Sequence, residues 1–154
     1  MKILFDLQDY LSDKPLGELI CDKLLFPYGK ILPTLLLEQV ENVRVVRITN
    51  RSSNDAGIEM RFSTDGDLFS DSRLIVVGRI GQSLSMDGAR IALFAKDEKD
   101  IELAFYEPYS NMYSLTCRLN EVVGKRLYIS LTKTNSFFSG LDVFVDSILV
   151  VSDD

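Results

Sequence analysis

The residue types of this 154-residue chain limit the chemistry that its side chains can perform, because it contains no histidine and no tryptophan. Histidine is the side chain most often used for acid–base catalysis near neutral pH. Ser-His-Asp and Cys-His triads and histidine metal sites are therefore excluded. The 23 acidic residues leave two-carboxylate catalysis formally open, but they lie mainly in turns or at polar strand positions. The sequence predicts a protein that is not an enzyme.

The two cysteines and the glycines add no catalytic motif. Cys21 and Cys117 lie too far apart for a zinc motif, which needs closely spaced pairs. A disulfide between them is one alternative, and two buried thiols that pack as small apolar residues are the other. The glycines are scattered and form nothing like a phosphate-binding loop. Binding is therefore a better expectation than catalysis.

A group of tyrosines offers the first candidate ligand-binding surface. Tyr106, Tyr109 and Tyr113 cluster around a turn that also contains Asn111. Tyrosine rings near a loop could provide a stacking surface, and the amide could hydrogen-bond to hydroxyl groups. The alternative interpretation makes Tyr113 a core residue of its strand and lets Tyr109 cap the turn.

The loop before the last strand is a second candidate surface, with Asn135, Phe137 and Phe138. Two adjacent phenylalanines cannot both face inward in an extended segment, so one of them is expected to be exposed. That ring could contact a ligand, and it could equally pack against a neighbouring loop or a second subunit.

The elements that position these residues have the periodicity of strands. From Val43 onward, apolar residues alternate with polar ones, as expected when one strand face is buried and the other is wet. Leu74–Val77 is a continuous apolar run, which favours a strand covered on both faces. Turn-forming dipeptides such as Asp87-Gly88 separate the runs. The predicted strands are Val43–Asn50, Gly57–Phe62, Leu74–Ile80, Ile91–Leu93, Ile101–Phe105, Tyr113–Leu119, Leu127–Leu131 and Leu141–Val151.

This pattern predicts an all-β fold, a two-sheet antiparallel β-sandwich of the jelly-roll type, over a single domain of residues 1–154. The first forty residues leave two alternatives open. Leu16–Phe26 fits a short amphipathic helix, and it also fits a strand pair wrapping the sandwich. Pro15, Pro27 and Pro33 are spaced too closely for a long helix.

Charge and hydropathy narrow the expected partners. The chain carries 17 basic and 23 acidic residues, for a net charge of -6, which disfavours nucleic acid as a partner. No apolar stretch reaches the length of a membrane helix, and Asp6, Asp9 and Asp13 interrupt the N-terminal apolar run before a signal peptide can form. We therefore expect a soluble protein without a membrane partner, cytoplasmic by default.

A series of segments carries a resemblance to a known family. The strands Val43–Asn50, Gly57–Phe62 and Leu74–Ile80 are followed by Lys125–Leu131 and then by Leu141–Val150. The last segment has the form apolar-x-apolar-Asp-x-apolar-x-apolar, with Asp146 as the acid. In this order the segments resemble the galactose-binding-domain-like jelly rolls, the fold of many carbohydrate-binding modules, over about Val43–Val151.

The resemblance implies a non-catalytic carbohydrate-binding domain, an accessory part of a larger carbohydrate-active protein. It implies that the loop with Asn135, Phe137 and Phe138 borders the ligand cleft, while Asn111 supplies hydrogen bonds. Tryptophan is often the sugar-stacking platform in this family, and tyrosine would replace it here.

The resemblance also raises a structural calcium ion as an alternative to no cofactor. Asp146 matches the acid of the closing strand that binds calcium in some of these modules, and Asp6 would be its partner. A solvated Asp146 is the other interpretation. The alternative function is a structural or assembly β-sandwich whose exposed aromatic residues make protein–protein contacts, including those of a homo-oligomer.

Overall fold

A computed structural model of the chain describes residues 2–22, 24–50, 56–61, 71–80, 89–96, 100–106, 112–119, 126–133 and 141–152. Within these ranges the backbone is almost entirely strand, with one short helix. The elements are β1 (Lys2–Asp6), α1 (Leu7–Leu11), β2 (Gly17–Glu18), β3 (Leu25–Gly29), β4 (Thr34–Val40), β5 (Val43–Asn50), β6 (Ala56–Met60), β7 (Ser72–Ile80), β8 (Ala89–Lys96), β9 (Asp100–Tyr106), β10 (Met112–Arg118), β11 (Arg126–Lys133) and β12 (Leu141–Ser152).

Two antiparallel sheets contain all of these strands. The larger sheet has seven strands in the order β10-β7-β12-β5-β4-β2, and β1 pairs with the second half of β12. The smaller sheet has five strands in the order β3-β6-β11-β8-β9. Strands that are neighbours in a sheet are often far apart in the chain, which is the mark of a jelly roll rather than a meander. The predicted fold class, an antiparallel β-sandwich, is confirmed.

The core lies between the two sheets. Every second residue of the paired strands is buried there, because strand side chains alternate between faces. The alternation that predicted β5 to β12 from the sequence is therefore the burial pattern of the core. The largest fully buried side chains include Leu7, Leu11, Leu25, Leu37, Ile48, Ile58, Met60, Leu74, Ile91, Leu93, Leu115 and Leu119.

The prediction that Leu74–Val77 is covered on both faces is wrong in part. Leu74 and Val76 are fully buried, but Ile75 and Val77 are partly exposed. Ile75 and Val77 lie on the outer face of the seven-stranded sheet, where solvent reaches them.

The N-terminal segment resolves the two alternatives that the sequence left open. A helix over Leu16–Phe26 is wrong, because Gly17 and Glu18 pair with β4 while Leu25–Gly29 pairs with β6. The strand-pair alternative is the correct one. The short N-terminal helix is instead α1, where Leu7 and Leu11 enter the core. No helix in the described ranges is long and apolar enough to cross a membrane.

The side chain of Gln8 joins two strands where the ladder between β5 and β12 ends. Its Nε2 donates to the carbonyls of Arg44, at 2.7 Å, and of Asp146, at 2.8 Å. Its Oε1 accepts from the backbone N–H of Arg44 at 3.3 Å. The amide thus replaces a peptide group of the ladder, and it does so beside the β-bulge that the register shows between Val145 and Ser147.

Candidate functional site

The outer face of the five-stranded sheet collects aromatic and charged side chains from three strands. In β3, β6 and β11 the core residues alternate with a second set that must lie on the opposite face. One cross-strand row is Phe26–Glu59–Tyr128, and the next begins with Tyr28 and Gly57. We call Phe26, Tyr28, Glu59, Arg61 and Tyr128 the aromatic face.

Two tyrosines of this face meet across the strand that separates them. The ring centroids of Tyr28 and Tyr128 are 4.4 Å apart, with an angle of 43° between the ring planes. Tyr28 is on β3 and Tyr128 is on β11, so β6 runs between them. The β6 residue opposite Tyr28 is Gly57, which has no side chain to keep the rings apart. The result is a pair of phenol rings in which Tyr28 is partly exposed and Tyr128 is buried.

An arginine is held against the third ring of the face. The guanidinium carbon of Arg61 lies 3.7 Å from the centroid of the Phe26 ring, within the range of a cation–π contact. Arg61 Nε donates to Glu59 Oε1 at 2.6 Å, and the side chains are 54% and 10% exposed, respectively. The carboxylate therefore fixes the guanidinium through one edge. In the part of the chain that the structure describes, Nη1 and Nη2 have no other partner.

This arrangement suits a ligand that has apolar C–H surface and many hydroxyl groups. Aromatic rings pack on C–H faces, while phenol and guanidinium groups exchange hydrogen bonds with hydroxyls. The charges of Arg61 and Glu59 cancel, so the face offers little general attraction to an anion. The chemistry of the face is that of binding a neutral polyhydroxylated molecule.

Tyr113, one of the residues singled out in the sequence, lies in the core. It is 2% exposed, and its hydroxyl donates to the carbonyl of Phe144 at 2.8 Å. Its ring passes over Gly78, where an added Cβ would clash with the Tyr113 hydroxyl. Burial raises the pKa of Tyr113, with a smaller contribution from the charge of Asp146. A ligand-binding role for Tyr113 gains no support from this position.

Most of the other predicted site residues fall outside the described ranges. The residues outside these ranges are Tyr109, Asn111, Asn135, Phe137 and Phe138. Tyr106 ends β9 and pairs with Ile91, but its side chain is not described. The role of all six residues in ligand binding stays a prediction.

The two predicted calcium ligands have other partners. Asp6 caps α1, since its Oδ1 accepts from the backbone N–H of Gln8 at 3.0 Å. Asp146 Oδ2 accepts from Arg79 Nε at 3.0 Å. Calcium takes six to eight oxygen ligands, and the described residues contain no group of three acids, histidines or cysteines placed to hold a metal. The calcium site stays a prediction. No disulfide joins Cys21 and Cys117.

Solved structures with this architecture are similar to the chain. The xylan-binding domain CBM22-1 of Paenibacillus barcinonensis Xyn10C matches with a TM-score of 0.66 and 11% identity, over 98% of this chain and 94% of that chain. A xylan-binding module CBM15 matches with a TM-score of 0.57 and 9% identity, over 92% and 98%. The CBM22-1-GH10 modules of Clostridium thermocellum xylanase 10B, complexed with xylohexaose, match with a TM-score of 0.61 and 13% identity, over 84% of this chain and 26% of that one.

These likenesses concern the fold. No protein-family model and no curated protein matches the sequence. The chain is a β-sandwich of the type found in carbohydrate-binding modules, and the resemblance inferred from the order of its strands is confirmed at that level.

Proposed function

We propose that this chain is a carbohydrate-binding domain that holds a polysaccharide on its aromatic face. The observation that carries the proposal is the joining of three rings, one arginine and one carboxylate on a single face of the five-stranded sheet. Because the residues come from strands that a rigid sheet holds in register, the ligand would meet a preformed surface.

Each part of the aromatic face has a role in this proposal. Tyr28 and Phe26, which are partly exposed, pack against the C–H faces of successive sugar rings. Tyr128, which is 5% exposed, supports Tyr28 from behind. The Nη groups of Arg61 donate to sugar hydroxyls, while Glu59 holds the guanidinium against Phe26.

The ligand class we propose is a neutral β-1,4-linked polysaccharide such as xylan. The paired charges of Arg61 and Glu59 favour a neutral chain over an acidic one. Two of the solved neighbours that cover more than 90% of this chain are described as xylan-binding, and this supports the choice of xylan as the first probe.

We further propose that the domain is non-catalytic. The aromatic face as defined above contains one acid, Glu59, and its carboxylate already accepts a hydrogen bond from Arg61 Nε at 2.6 Å. Glycosidases use two carboxyl groups about 5 to 9.5 Å apart. An accessory role in a longer protein is part of the same proposal, because similar modules occur beside GH10 modules in one chain.

Isothermal titration with xylohexaose tests the proposal. We expect binding by the wild-type chain, and a loss of about tenfold or more in affinity for Tyr28→Ala and for Arg61→Ala, because each removes a direct ligand contact. Thr116→Ala is the matched control, since Thr116 is exposed on the other sheet. Thermal melts of every variant separate loss of contact from loss of fold.

Three results would overturn the proposal. They are an absence of binding to xylohexaose and to other neutral oligosaccharides, unchanged affinity in both folded variants, or release of shortened oligosaccharides. A chain that binds no sugar but forms dimers or larger species in light scattering would favour the assembly alternative.

A further inference from the structure

The outer face of the seven-stranded sheet has a charged and aromatic row of its own. Arg79 on β7, Phe144 on β12 and Arg47 on β5 are direct cross-strand neighbours. The adjoining row, which contains Val145 and Val46, belongs to the core. Arg79, Phe144 and Arg47 must therefore point away from the core, and all three are partly exposed.

A carboxylate holds each of the two arginines. Arg79 Nε donates to Asp146 Oδ2 at 3.0 Å, and Arg47 Nη2 lies 3.1 Å from Glu38 Oε1. The side chains of the two arginines are 36% and 33% exposed. Two positive and two negative charges thus surround Phe144, and they cancel. We call this group of five residues the Phe144 cluster.

The Phe144 cluster repeats the chemistry of the aromatic face. In both places a carboxylate binds the Nε of an arginine, as in Arg61–Glu59 and Arg79–Asp146. In both places a partly exposed phenylalanine stands beside that arginine. Among the described residues, the Nη groups of Arg79 have no other partner, so they remain available as donors.

We propose that the Phe144 cluster is a second saccharide-binding surface, on the opposite side of the sandwich from the aromatic face. A sugar ring packs its C–H face on Phe144, and its hydroxyls accept hydrogen bonds from Arg79. This inference rests on the proposed function, because it takes the ligand class from the aromatic face.

Two unsatisfied atoms of the cluster favour a hydroxyl-bearing ligand over an anion. Arg47 Nε and Asp146 Oδ1 are the buried side-chain polar atoms without a hydrogen-bond partner among the described residues. One is a donor and the other is an acceptor, and a hydroxyl can serve both, whereas a carboxylate or phosphate can serve only the donor. Solvent does not reach either atom, so these contacts require small rotations of side chains that are themselves partly exposed.

The position of the two surfaces has a consequence for polymers. Packed sheets lie about 10 Å apart and expose opposite outer faces, so a short oligosaccharide cannot reach both surfaces at once. A domain with two such surfaces joins two polysaccharide chains. It would bind a dense polymer with higher avidity than either surface alone provides.

The first test maps amide NMR shifts during titration with xylohexaose. We expect one set of changes on β3, β6 and β11 and a second set on β5, β7 and β12. Phe144→Ala should abolish the second set and leave the first. Arg79→Lys, which keeps the charge but loses the planar fork, should weaken the second set by about fivefold. Thr116→Ala, on the same outer face, should change neither set.

The second test measures bridging. Mixed with soluble xylan, the wild-type chain should raise the particle size in light scattering, because it joins polymers. Phe144→Ala and Tyr28→Ala should each prevent this, since each leaves one surface. The double variant should bind no xylohexaose.

The outcomes separate this inference from the proposed function. If no saccharide shifts any amide, both fail. If xylohexaose shifts only the aromatic face, and Tyr28→Ala alone removes all binding, the second surface is refuted and the first stands. A Phe144 cluster that remains unshifted by sugar while Phe144→Ala dissociates a dimer would likewise refute it, in favour of a protein interface.

Discussion

Two tyrosines of this sandwich pair with glycines, one inside the core and one on a candidate binding face. Tyr113 lies opposite Gly78 in the seven-stranded sheet, and Tyr28 lies opposite Gly57 in the five-stranded sheet. The Tyr113 ring occupies the space that a side chain at Gly78 would fill, and Gly57 adds no side chain to β6, the strand between Tyr28 and Tyr128. Tyr113 uses that space to reach the carbonyl of Phe144, whereas Tyr28 uses it to reach the ring of Tyr128.

The difference shows that a glycine–tyrosine pair has no fixed role. On the core side the phenol loses all contact with water, so its hydroxyl needs an internal acceptor and the pair stabilises the fold. On the outer side the phenol stays partly exposed, and the pair shapes a surface. Changes at the Tyr113–Gly78 pair should therefore alter stability and leave binding unchanged, whereas changes at the Tyr28–Gly57 pair should alter binding.

The largest effect is expected for Gly78→Ala. An added Cβ would clash with the Phe144 carbonyl oxygen and would lie 2.6 Å from Tyr113 Cζ, so β12 or the tyrosine must move. We expect a loss of about 2–4 kcal/mol in the free energy of unfolding, measured by urea denaturation. A loss below about 1 kcal/mol would show that the contact is not tight.

Tyr113→Phe should have the next largest effect. The substitution keeps the ring but leaves the Phe144 carbonyl without its side-chain donor, which costs about 1–2 kcal/mol. The affinity for xylohexaose should not change, because Tyr113 is buried. Weaker binding by this variant, at full folding, would contradict the division between the two pairs.

Gly57→Val should affect binding as well as stability. A branched side chain between Tyr28 and Tyr128 would separate their rings, and we expect the affinity for xylohexaose to fall by about tenfold. Gly57 is buried, so the added side chain should also lower the free energy of unfolding by about 1 kcal/mol. Titration and denaturation of the same sample check both parts, and unchanged affinity would mean that the ring contact does not matter for binding.

The smallest effect concerns alkaline pH. Burial raises the pKa of Tyr113 above its ordinary value, so between about pH 10 and the higher folded pKa the unfolded chain loses a proton that the folded chain keeps. Stability is therefore fully present below about pH 10 and falls as the pH rises further. Tyr113→Phe should remove about 1 kcal/mol of the loss between pH 10 and pH 11, as measured by urea denaturation at each pH. An equal alkaline loss in both proteins would refute the assignment to Tyr113.

The sequence predicted most of the fold because alternation is a local property. From β5 to β12 each strand buries one face, and its period of two is visible within a few residues. The N-terminal segment lacked such a signal, since the spacing of Leu16, Leu19 and Leu24 also fits one side of a helix. The segment is extended because Gly17 and Glu18 pair with β4 and Leu25–Gly29 pairs with β6. These partner strands lie further along the chain, so no local pattern reveals the pairing.

The aromatic face could not be predicted for the same reason. Phe26 and Tyr28 alternate around Pro27, and Tyr128 occupies a polar position of its strand. Each of these patterns indicates an outward-facing aromatic residue, but neither indicates a shared surface. The residues form one surface only because β3, β6 and β11 are neighbours in the sheet. Proximity in the chain instead favours the tyrosines around Tyr109, and no local sequence pattern indicates the bulge between Val145 and Ser147.

The pairing of β1 with β12 determines how the domain responds to a pulling force. Lys2 lies directly opposite Ser152, so the first and last described residues leave the sheet side by side. Tension applied between them would open the β1–β12 ladder one hydrogen bond at a time, because an antiparallel pair pulled from the same end is unzipped rather than sheared. After that ladder has opened, the next interactions to bear the tension are the hydrogen bonds of the Gln8 amide to the carbonyls of Arg44 and Asp146. We expect the N-terminal strand to leave the sheet at low force, before the hydrogen bonds of Gln8 to Arg44 and Asp146 break.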